Sequence, residues 1–148
     1  MIHTSYFAKY RGNAGCSIAR KHPQGFKGYK CDALFPPKSL LVWYKTWEEK
    51  YKEDFEATGD HKKFRENMKL LKKSYAEQYR QEVLNKIDVH SVGKALDGKV
   101  LLCWERSGAF CHRHLVAEWL RAAGYDCQEL VYAQDLKGIS TRKRKQAR

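Results

Sequence analysis

Proline is scarce in this chain of 148 residues: there are three, and all lie between positions 23 and 37. Long apolar runs are missing as well. The longest, Leu40 to Tyr44 and Val100 to Trp104, stop at five residues, far short of the roughly 20 that a membrane-crossing helix needs. The first twelve residues mix His3, Lys9 and Arg11 with aromatics, without the basic segment, apolar stretch and cleavage site of a secretory signal, so a cytosolic setting is expected. Five cysteines, an odd number without paired spacing, provide no disulfide framework, and reduced thiols are expected. There is no G-x-x-x-x-G-K-[ST] loop, no G-x-G-x-x-G, no H-E-x-x-H and no G-x-S-x-G. Triphosphatases of the P-loop type, Rossmann dehydrogenases, zincins and serine hydrolases therefore lack support.

Acidic residues are few: 17 against 29 Lys and Arg, a net charge of +12. The excess sits at the two ends, with seven basic residues against one acid in residues 1–44 and five against none in residues 142–148. The rest of the composition, 43% apolar, 13% aromatic and 31% charged, is that of a globular chain and excludes collagen-like, wholly disordered and membrane classes. The length accommodates one core. We expect a single domain over residues 1–138 and a basic, disordered tail over residues 139–148.

Ile2 to Phe7, β-branched and aromatic and followed by Gly12 and Gly15, predicts a strand and a loop. Residues 17–38 hold all three prolines, Gly25 and Gly28, with Arg20, Lys21, Lys27 and Lys30 among Phe26 and Tyr29, and predict a long basic, aromatic loop. Leu40, Tyr44, Trp47, Tyr51 and Phe55 recur at helical spacing, Gly59 ends that helix, and Asp60 caps a second whose stripe is Phe64, Met68, Leu71, Tyr75 and Tyr79. Both stripes read as core, with no chemistry assigned. Asp88 starts a shorter helix through Leu96.

Residues 99–132 are the most legible part. Val100 to Trp104 reads as a strand covered on both faces, Cys111 to Ala123 as a helix, and Cys127 to Tyr132 as another strand. Strand, helix and strand in that length call for a right-handed crossover, and hence an α/β fold: a parallel sheet flanked by helices in three layers. Ligands in such sheets bind at the carboxyl ends of the strands, which places Trp104 to Phe110 at the site. Cys103 and Glu105, two apart, are expected on one side of the strand. Cys111, His112, Arg113 and His114 occupy the first turn of the following helix, where cations are unfavourable unless an anion sits among them. Either a phosphate or carboxylate belongs there, or Glu105 pairs with Arg113.

These residues carry a resemblance. Cys103-Trp104-Glu105 followed by Cys111-His112-Arg113 resembles the C-x-E … C-H-R signature of the domain of unknown function (DUF) 488 family. Ser17-Ile18-Ala19-Arg20 with Pro23, and Leu34-Phe35-Pro36-Pro37, are similar to its early S-I-x-R … P and L-x-P segments. The resemblance runs from Ile2 to about Leu130 and implies an α/β domain with a parallel sheet. It implies no settled activity.

Three functions follow. The first is a small enzyme acting on a phosphorylated or nucleotide-like anion, with Arg113, Arg20 and Ser17 binding it, Glu105 and His112 moving protons, and Cys111 as nucleophile or redox thiol; a buried, merely packed Cys111 is the alternative. The second is a non-catalytic nucleic-acid-binding module using the basic amino-terminal region and Arg142, Lys143, Arg144 and Lys145. The third is a regulatory domain that senses a small anionic metabolite. Arg20 has its own alternative, pairing with an acid such as Glu105. No cofactor and no metal are expected: Cys103, Cys111, His112 and His114 are zinc-ligand types, but His112 and His114, two apart on a helix, cannot converge with both cysteines.

Overall fold

The apolar run that opens at Val100 folds as a strand because each of its side chains finds cover: all four residues of Val100–Cys103 are buried. It is the central strand of a five-stranded sheet in the computed structural model, which describes residues 1–133. The strands are β1 (Ile2–Tyr6), β2 (Gly15–Ser17), β3 (Tyr29–Lys30), β4 (Val100–Cys103) and β5 (Cys127–Glu129). They lie in the order β3-β2-β4-β1-β5, every neighbouring pair parallel. Four helices, α1 (Lys38–Thr58), α2 (His61–Glu82), α3 (Val89–Ala95) and α4 (His112–Ala122), flank the sheet. The expected α/β domain with a parallel sheet is what the chain forms. The predicted strand–helix–strand unit is β4-α4-β5, but its two strands are not neighbours: β1 lies between them and pairs with both.

Local signals set the helix ends. Gly59 closes α1 at φ 66°, a left-handed conformation that a Cβ would disfavour. Asp60 accepts the Lys63 backbone N–H at 3.0 Å, and Asp88 caps α3 through the N–H groups of His90 and Ser91.

Two expectations change here. Residues 17–38 are not featureless: β3 pairs with β2, the Cys31 N–H donates to the Ser17 carbonyl at 2.9 Å, and Asp32–Leu34 forms a 3₁₀ turn. The aromatic stripes of α1 and α2 are core at one end only. Leu40, Leu71, Tyr75 and Tyr79 are buried, whereas Trp47 is exposed and Phe55 and Phe64 are half-buried, their rings 5.1 Å apart in a seam between the two helices. Past that buried end the two helices cover each other on one side and leave the rest to water.

On the Leu101 side of the sheet, Ile2, Cys16, Leu101 and Cys127 share a core with residues from all four helices. Val100 and Leu102, at alternate positions, pack instead with Phe7, Tyr10 and Phe26, so the early loop regions supply that cover. No helix among the described residues is long and apolar enough to cross a membrane.

Candidate functional site

The carboxyl end of β4 and the start of α4 meet by necessity, because the seven residues between Cys103 and Cys111 double back through a turn with Gly108 at φ 84°. Cys111 is the N-cap of α4 in extended conformation, and its side chain makes no capping bond. Its sulfur turns instead toward His112 Nδ1, 3.8 Å away, and Cys103 Sγ approaches the same nitrogen at 3.6 Å. All three side chains are buried, and their two sulfurs and Nδ1 lie within 4.8 Å of one another.

The other imidazole nitrogen fixes the chemistry. His112 Nε2 lies 2.7 Å from the Ile18 carbonyl oxygen, which only accepts, so Nε2 carries the proton and Nδ1 presents its lone pair to the sulfurs. Tyr79, 5.4 Å away between ring centroids, packs against the imidazole. Cys103 foremost, with the Arg113 backbone N–H, holds the Cys111 thiol well below its ordinary range against the opposing effect of burial. Cys103 moves the other way, raised by its hydrogen bond to Cys111 and by burial. The pair therefore gives up its first proton more readily, and its second less readily, than two independent buried thiols would.

The early loop folds over this edge. Besides the Ile18 contact, Trp104 Nε1 donates to the Lys21 carbonyl at 2.9 Å and the Phe7 ring meets Phe26 and Trp104. Arg20, two residues beyond Ile18, is exposed and uses Nε alone on the Pro36 carbonyl, at 3.0 Å. Ser17 is buried and occupied, its Oγ shared between the Ala19 backbone and His22 Nδ1 at 2.8 Å. The His22 imidazole is harder to protonate than usual because of burial and the nearby Lys30.

Neither a family model, nor a curated protein, nor a solved structure matches this chain. The geometry alone carries the site.

Arg113 and Glu105 are placed differently from the expected pair. β4 ends at Cys103, so Glu105 lies past the strand and is exposed, and alternation along a strand does not put it beside Cys103. Its carboxylate is felt by Tyr44, whose phenol is raised to about 12, first by burial, then by Glu48 and Glu105. Arg113 has no exposed surface; it binds the Glu105 backbone carbonyl through Nη1 and the Glu129 carboxylate through Nε, at 3.1 and 3.2 Å. Glu129 also faces His114 Nδ1 at 3.5 Å, which takes His114 away from the cysteines as its spacing requires. Sequence reasoning missed Glu129. Its signal was the need of a buried guanidinium for a carboxylate on the neighbouring strand. Arg113 Nη2 and Ser107 Oγ are buried at this turn with no hydrogen-bond partner among the described residues. Arg142, Lys143, Arg144 and Lys145 lie outside the described residues.

Proposed function

We propose that this chain, similar to the DUF 488 family in its C-x-E … C-H-R segment, is a small cytosolic enzyme that acts on an anionic substrate, phosphorylated or nucleotide-like, at the carboxyl edge of the sheet. The observation that carries the reading is the meeting of Cys103, Cys111 and His112, with the imidazole held in one tautomer by the Ile18 carbonyl. A packed cysteine needs no such partners, and two sulfurs facing one unprotonated ring nitrogen form a reactive arrangement. The negative character of the substrate is supported by the exposed Arg20 guanidinium at the same edge. In this reading Cys111 and His112 supply the reacting groups and Arg20 binds the anion. Arg113 is a positioning residue, because its charge is met by Glu129. Glu105, at the rim, is the acid–base group that solvent reaches, and Ser17 shapes the loop through His22.

The test is a turnover screen of the purified chain against phosphomonoesters and nucleotides, followed by Cys111→Ala and Arg20→Ala. The first variant is expected to reduce turnover by at least ~100-fold and the second to raise KM with little change in kcat. Turnover indifferent to Cys111→Ala refutes the reading. So does binding to DNA or RNA that disappears on removing residues 142–148, persists in Cys111→Ala and comes with no turnover of any compound; that result favours the nucleic-acid-binding module.

A further inference from the structure

We propose that Cys103, Cys111 and His112 form a binding site for one thiophilic metal ion, of which Zn²⁺ is the representative. The sequence speaks against a metal only as a closed four-donor site, because His114 cannot join. Three donors are sufficient when the fourth position is left to water or an exogenous group, the coordination that catalytic zinc adopts where structural zinc uses four protein ligands.

The donor spacing fits. With bonds of about 2.3 Å to sulfur and about 2.05 Å to nitrogen, a tetrahedral ion requires its sulfur and nitrogen donors to stand about 3.6 Å apart. Cys103 Sγ and Cys111 Sγ stand 3.6 and 3.8 Å from His112 Nδ1. The two sulfurs, within 4.8 Å of each other, need to reach roughly 3.8 Å on the same construction, an adjustment that side-chain torsion supplies.

The surroundings fit as well. A ligating histidine commonly donates its second ring N–H to a backbone carbonyl, which fixes the tautomer and aims the lone pair at the ion. His112 does this with Ile18 at 2.7 Å. Binding displaces the thiol protons to solvent, and the two thiolates then balance the charge of a divalent ion, which meets the cost of placing charge at a buried site. Two sulfurs and one imidazole exclude magnesium and calcium, which take oxygen, and select zinc and its thiophilic neighbours. Among the described residues, no other His, Cys, Asp or Glu group converges in this way.

The ion's binding does not depend on the enzyme reading. If both hold, Cys111 acts on the substrate through the ion rather than by its own attack.

The full-length reduced chain, treated with a chelator and freed of it, is titrated anaerobically with Co²⁺ and then Zn²⁺. One equivalent of Co²⁺ is expected to give the intense thiolate-to-cobalt charge-transfer absorption of a tetrahedral site, and Zn²⁺ to abolish it. Cys103→Ala, Cys111→Ala and His112→Ala are each expected to weaken binding by more than ~10-fold, while Cys31→Ala leaves it unchanged. X-ray absorption on the wild-type zinc form needs no variant to fold, and is expected to show two sulfur donors per ion. The proposal is overturned by failure to bind a stoichiometric ion, by a zinc environment of nitrogen and oxygen alone, or by binding that survives both cysteine substitutions. Zinc binding without any turnover would defeat the enzyme reading and leave the metal site standing. Turnover by protein that takes up no metal would do the reverse.

Discussion

Replacing Glu129 by Leu tests how the start of α4 is held. Arg113 is fully enclosed, and the Glu129 carboxylate, bound at 3.1 and 3.2 Å, is its charge partner. Taking one member from a buried ion pair leaves an uncompensated charge, a loss of about 3–5 kcal/mol when both are enclosed. The Glu129 side chain is 23% exposed, so water reaches one side of the pair and the expected loss for Glu129→Leu falls to about 2–4 kcal/mol. The double variant Arg113→Met with Glu129→Leu removes the stranded charge along with its partner. It is expected to recover most of the loss and to lie within ~1–2 kcal/mol of the wild type. Urea unfolding, with the midpoint and slope compared across the set, measures both. A Glu129→Leu variant within ~0.5 kcal/mol of the wild type would class the pair with weak surface bridges and refute the argument. A double variant worse than the single one would refute it as well, since it would mean the arginine is held by contacts other than its charge partner.

Two further outcomes follow from buried polar groups. Tyr79 is enclosed, and its hydroxyl donates to the Leu34 carbonyl at 2.7 Å, so Tyr79→Phe strands that carbonyl and is expected to cost ~1–3 kcal/mol in denaturant unfolding. The Cys16 thiol is pushed up to about 11, chiefly by burial and next by the neighbouring Cys31, so the unfolded chain releases this proton near 9 while the folded chain keeps it. Its contribution to stability is complete below that value and declines as pH rises through about 11; unfolding measured at about pH 8 and about pH 10 should show the fall, and Cys16→Ala should flatten it.

The helices were legible because their signals are local. Gly59, Asp60 and Asp88 each act through their own backbone or side chain, and each ends or starts a helix where the sequence placed it. The Val100 run announced a covered strand, and His112–Ala122 an amphipathic helix. The order of the strands was not legible, since nothing in residues 99–132 says that β1 inserts between β4 and β5. Nor were β2 and β3, which at three and two residues are too short for alternation to register. At the site, the C-H-R segment drew attention to Cys111, His112 and Arg113, but their partners come from elsewhere in the chain. Cys103 joins because β4 stops beside the helix start, the Ile18 carbonyl arrives with the early loop, and Glu129 arrives with β5. Glu105 was expected beside Cys103 by the two-residue period of a strand, a period that holds only while the strand lasts.

The central claim is that His112 presents a bare Nδ1 to Cys103 and Cys111, and long-range nitrogen–proton correlation NMR on the reduced chain tests it most directly. The account predicts a neutral ring protonated at Nε2, with that proton in a hydrogen bond and Nδ1 without one. A ring protonated at Nδ1, with Nε2 free of the Ile18 carbonyl, would contradict it.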